Sequence, residues 1–182
     1  MNLRTDQEFR AVEQQKEKSE KRDQIELVSV VAASFEDFIS AINKISPDVV
    51  HFSGHGNVGE IVFDGNQLGD AAVPITFELL KKVLNTAKNT PKLIMLNSCY
   101  GAIRAQDLLD PVPAVVGMAN EIDDAAAAIF SRQLYSSLFE GQSIHNAVIQ
   151  GKAVLEAMSL PDAELPTIVE LKDNDATSKS LI

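Results

Sequence analysis

Four short apolar runs, separated by segments of a different pattern, constrain the fold of this chain more than any other feature. They are residues 25–33 (IELVSVVAA), 48–53 (DVVHFS), 92–97 (KLIMLN) and 114–119 (AVVGMA). Each is rich in strand formers and too short for a typical helix, and none alternates strictly as a strand with one wet face does. Such runs read as buried strands. The segments between them carry helical spacing: residues 34–45 set Phe35, Phe38, Ile39 and Ile42 on one stripe behind a capping-box-like Ser34 and Asp37, and Pro47 stops the helix. Residues 76–88 place Phe77, Leu80, Val83 and Leu84 inward, a short helix is expected at 104–109, and Gly141 splits two helices at 123–140 and 143–158.

Apolar strands alternating with amphipathic helices imply an α/β fold: a mainly parallel sheet with helices on both faces. Residues 167–171 supply a last strand, and 60–69 alternate and turn at Asp64-Gly65 as a small hairpin. Residues 3–23 mix charges with the spaced apolar residues Phe9 and Val12 and read as an exposed, salt-bridged helix. The polar stretch 172–182 reads as a loose tail. The whole of 1–182 is expected to be one domain, with no internal repeat and no linker. A chain of 182 residues buries enough surface to fold without a staple, and its single cysteine excludes a disulfide and the Cys-rich zinc scaffolds. No signal pattern or membrane-length apolar run is seen, so a reducing cytoplasm is expected.

With 16 Lys plus Arg against 26 Asp plus Glu, the net charge is −10. Neutralising phosphates needs a basic face, so a general nucleic-acid partner is not expected. The first 23 residues hold six charges of each sign; all the acidic surplus therefore lies beyond them.

In parallel sheets functional groups gather where strands end at their carboxyl side, which selects the loops at 54–59 and 98–101. The first, Gly54-His55-Gly56-Asn57-Val58-Gly59, spells G-x-G-x-x-G. A dinucleotide turn must open a helix, whereas EIVFDG alternates like a strand, so a strand after Gly59 would exclude nucleotide binding. Zinc held by His51, His55 and Cys99 is also disfavoured, because four residues of extended strand span about 13 Å. His51 reads as a core histidine, His145 as structural or exposed, and no metal or cofactor is expected. What remains is a nucleophile and a base: His55 and Cys99 each sit just past a buried strand, and adjacent strands would bring them together. Gly54, Gly56 and Gly101 would leave room for a substrate backbone, and N–H groups beside the pair could hold an oxyanion.

The pieces DVVHFSGHG, EIVFDG and LIMLNSCYG, with the later stretch VPAVVGMANEIDDAAAAIFSRQLYSSLFEGQSIHNAVIQGKAVL, together resemble the caspase-like cysteine peptidases of clan CD, above all the bacterial CHAT domains. In caspases the His precedes the Cys of Q-A-C-[RQG]-G by about 50 residues; here 44 residues separate His55 from the Cys of N-S-C-Y-G. The resemblance implies a three-layer sandwich and an endopeptidase acting on a protein substrate. It further implies His55 as general base, Cys99 as nucleophile, and the backbone amides of Gly56 and Cys99 as the oxyanion hole. Asp123 and Asp124 fall where arginine-directed members line the pocket, so cleavage after Arg or Lys is implied; Asp at a helix start also serves as a cap. Asn97 differs from the Asp that clostripain-like relatives carry there. Regulatory or sensor protein partners are implied too, and a catalytically inactive interaction module in a bacterial signalling or defence assembly is the alternative. Relatives usually begin with a buried strand lying between those at 25–33 and 48–53. This chain shows no counterpart: either its start lies upstream, or Met1 opens a fragment, or the sheet closes without that strand, and a missing central strand would leave backbone edges open to aggregation or strand donation.

Overall fold

The structure, a computed structural model, describes residues 5–65, 70–171 and 175–182. Its main sheet has four strands: β1 (Val49–Ser53), β5 (Leu93–Asn97), β6 (Ala114–Met118) and β7 (Pro166–Glu170), in that spatial order. β1, β5 and β6 run parallel, and β7 closes one edge antiparallel to β6. Alternation along the strands divides the core in two. Leu93, Met95, Ala114, Val116 and Met118 face α1 (Thr5–Lys18), α4 (Asp124–Phe139) and α5 (Ile144–Ala157). Ile94, Leu96 and Val115 face α2 (Phe35–Ile45) and α3 (Phe77–Leu84). β5 and β6 are buried at every position, as their uninterrupted apolar composition requires. The result is the expected three-layer α/β sandwich.

The helix signals read correctly at α2, where Ser34 and Asp37 exchange side-chain and backbone hydrogen bonds in a capping box. Helix α3 is shorter than its apolar pattern suggests: Thr76 caps its start, and it stops at Leu84. The segment expected as one short hairpin forms part of a three-stranded antiparallel sheet: β2 (Gly56–Asn57), β3 (Glu60–Phe63) and β4 (Val73–Thr76). A turn at Val58-Gly59 joins β2 to β3, and the reversal from β3 to β4 starts at Asp64-Gly65, with residues 66–69 outside the described set. This small sheet buries Ile61, Phe63 and Ile75 in the α2/α3 core.

Three expectations are corrected. Residues 25–33 are not a buried strand: among the described residues, 26–32 join no ladder, and Val28, Val30 and Val31 are exposed. Ile25 and Leu27 still lean on the core at two-residue spacing, so the strand pattern persists without a partner for its backbone. Helix α1 is not simply solvated. It packs against α4, burying Glu8 and Val12, with Ser19 buried just beyond its end, and the expected ion pairs along it are not found among the described residues. The tail is not wholly loose either: Leu181 and Ile182 pack on the core, and Lys21 Nζ donates to the Ile182 carbonyl. Residues 172–174 lie outside the described set. No helix among the described residues is long and apolar enough to cross a membrane.

Candidate active site

Parallel pairing of β1 with β5 puts Ser53 opposite Asn97, the last residue of each strand. His55 and Cys99 each follow two residues later, so the two loops leave the sheet side by side. The Gly54 N–H donates to the Asn97 carbonyl (3.4 Å), extending the contact past the strand ends. His55 is exposed and Cys99 half-buried, and the His55 carbonyl accepts from the Val62 N–H (3.1 Å), which anchors its loop to β3. The G-x-G-x-x-G stretch therefore passes straight into β3 at Glu60, and no helix opens there to hold a pyrophosphate.

The glycines work differently from expectation. A Cβ on Gly56 would lie 2.8 Å from Ser98 Oγ, and one on Gly101 would lie 2.9 Å from the Leu96 carbonyl oxygen. These two positions are empty because chain packs against chain, not to admit a substrate. Only Gly54 has open space around it among the described residues. Gly117 on β6 plays the same part from below: its Cβ would meet the backbone of Gly101 and Ala102 at 2.7 Å. Sequence inspection missed Gly117, whose one signal is a glycine inside an otherwise β-branched strand.

The turn after Cys99 is also held from the side. Tyr100 is left-handed (φ 60°), its N–H donates to the Asn120 carbonyl (3.3 Å) and its hydroxyl to Glu121 Oε1 (3.1 Å). That bond to Glu121, first, raises the Tyr100 phenol above its usual range. Of the two acids expected in the pocket, Asp123 caps α4, its Oδ1 accepting from the N–H groups of Ala125 (2.8 Å) and Ala126 (3.4 Å). Asp124 follows, half-buried in the first turn. Glu121 is the acid tied to the residue beside Cys99.

Beneath the two loops lies a buried polar cluster that sequence reading did not find. Glu8, only 5 % exposed, accepts a hydrogen bond at Oε2 from Ser53 Oγ and at Oε1 from Asn97 Nδ2 (2.5 Å). Asn97 Nδ2 also donates to Ser131 Oγ (3.2 Å). His51 Nε2 lies 3.3 Å from Glu8 Oε1, off-line for a hydrogen bond, and the His51 ring stacks on Tyr135 at 5.6 Å. Burial pushes the Glu8 carboxyl up, but the attraction of His51 and the bond from Ser53 outweigh it and hold the group at about 2. Burial, with the Glu8 charge behind it, pushes the Tyr135 phenol far above its usual range. His51 is half-buried on β1, not the fully buried core histidine expected, and has a carboxylate partner, while His145 is exposed.

Comparison with known proteins agrees with this architecture. The family model described as CHAT domain matches residues 3–163. A "Roc-COR-CHAT protease" from an unknown prokaryotic organism is 21 % identical over 180 residues, covering 91 % of this chain and 17 % of that protein. A "Roc-COR-CHAT protease" from Runella zeae is 28 % identical over 116 residues, 63 % of this chain and 12 % of that protein. A "Probable protease" from Gillisia limnaea is 22 % identical over 141 residues, covering 75 % of this chain and 24 % of that protein. This chain thus spans a quarter or less of the length of each of these relatives. With a family model matched over most of its length and a three-layer sandwich to accommodate it, the chain belongs to the CHAT domain family.

Proposed function

We propose that this chain is a cysteine endopeptidase of the caspase-like type, with His55 as general base and Cys99 as nucleophile. The observation that carries the reading is the Ser53–Asn97 register, which starts both loops at neighbouring points and packs Gly56 against Ser98. His55 takes the thiol proton as Cys99 Sγ attacks the scissile carbonyl carbon, and the N–H groups of Gly56 and Cys99 receive the oxyanion. The proton passes from His55 to the leaving amine as the C–N bond breaks, and water then hydrolyses the thioester. Family membership and the names of the relatives, two CHAT proteases and a probable protease, support this chemistry.

The substrate is a protein segment, and the acids after β6 favour a basic residue before the cut. Asp124 and Glu121 join Asp123 in that role, because part of the Asp123 carboxylate already caps α4. The short span of this chain against its relatives supports regulation by further domains or protein partners.

A panel of fluorogenic peptides varied at the residue before the cut tests this directly. Cys99→Ala and His55→Ala are each expected to abolish cleavage while melting like the wild type, and Asp124→Asn to weaken cleavage after Arg or Lys selectively. Cleavage that survives Cys99→Ala would overturn Cys99 as the nucleophile, whereas a wild type that cleaves no peptide of the panel would leave the interaction-module reading in its place.

A further inference from the structure

We propose that Glu8 is a positioning residue that sets His55 and Cys99 relative to one another, an inference that rests on the dyad reading above. One carboxylate holds the last residues of both strands, Ser53 through Oε2 and Asn97 through Oε1, and each lies two residues before a member of the dyad. Both bonds reach in from α1, an element remote in sequence from the loops. Asn97 Nδ2 continues the chain of bonds to Ser131 on α4, so the strand ends are held between two helices.

Helix docking alone does not account for a carboxylate here. Val12, one turn along α1, is buried and packs on the same core with no polar group. An apolar side chain at position 8 would dock the helix without the desolvation cost of a charge. What an apolar residue cannot do is accept from Ser53 and Asn97 at once. Sub-ångström placement matters at a dyad, because a misplacement of about 1 Å costs on the order of a hundredfold in rate.

Cys99 is the sole cysteine, so the rate of its alkylation by iodoacetamide, an uncharged probe, reads the dyad without interference. The experiment is a double-mutant cycle on the full chain at fixed pH near 7: wild type, Glu8→Ala, His55→Ala and the double variant. Positioning predicts that Glu8→Ala slows alkylation about tenfold when His55 is present, at the low end of the misplacement cost, and changes nothing in the His55→Ala background. Glu8→Gln keeps an oxygen for Ser53 or Asn97 and is expected to fall between wild type and Glu8→Ala. Val12→Ala is expected to lower the melting temperature and leave the alkylation rate as it is. Should Glu8→Ala not fold, Ser53→Ala takes its place in the cycle, with a smaller but still His55-dependent loss. An equal loss in both His55 backgrounds, or no loss in either, overturns the positioning role while leaving the dyad intact. A His55→Ala chain that alkylates as fast as the wild type overturns the dyad, and the positioning role with it.

Discussion

At the scale of single residues, Glu8 shows how a charge can be informative by being in the wrong place. It occurs in a segment with six acidic and six basic residues, where a carboxylate reads as solvated. The one signal against that is helical: Glu8 falls four residues before Val12 and eleven before Ser19, and all three are buried on one stripe. Its carboxyl, ordinarily near 4.5, is held at about 2 in the folded chain. A depressed folded value stabilises the protein above pH ~4.5, and that contribution, on the order of 3 kcal/mol, is lost as the pH falls towards 2. At pH 7 the wild type is therefore expected to be more stable than Glu8→Gln, with the gap closing through that window. Denaturant melts of the two proteins from pH 7 to pH 2 check this, and a gap that stays constant throughout contradicts it.

At the scale of elements, the nucleophile turn depends on the strand next to it. The turn after Cys99 rests on β6 at Gly117, with no room for a single carbon between them. Gly117→Ala is expected to push the turn outward, costing about 1–3 kcal/mol of stability and about tenfold or more in cleavage rate. Peptide cleavage measured well below the melting temperature separates these effects; unaltered kcat would mean that the turn absorbs the shift without moving Cys99. The segment at 25–33 teaches the opposite lesson. Its β-branched composition makes it strand-like, but a strand is completed by a neighbour's backbone, and among the described residues 26–32 have none. Helix caps fared better because they are local: Ser34 with Asp37 is closed within four residues.

At the scale of the whole molecule, residues distant in sequence meet around α1. Lys21, just after it, reaches the Ile182 carbonyl, while Leu181 and Ile182 cover the core that α1, α4 and α5 share. Leu181→Ala with Ile182→Ala is expected to cost about 2 kcal/mol, given that both side chains are only partly buried. Urea denaturation measures that cost, and an unchanged midpoint would mean that the tail adds nothing to the fold. The amino-acid sequence by itself determined the three parallel strands β1, β5 and β6, the amphipathic helices packed around them, the boundaries set by Pro47, Gly141 and the capping residues, and the two loops that carry His55 and Cys99. Those features are periodic or local, so neighbouring residues suffice to specify them. Only the tertiary structure decided that 25–33 has no ladder, that Gly56 and Gly101 serve packing, that Asp123 spends its carboxylate on a cap, and that Glu8 lies beneath both loops. Each of these depends on what a residue meets from elsewhere in the chain: burial, strand pairing and a shared hydrogen-bond acceptor are relations between distant segments.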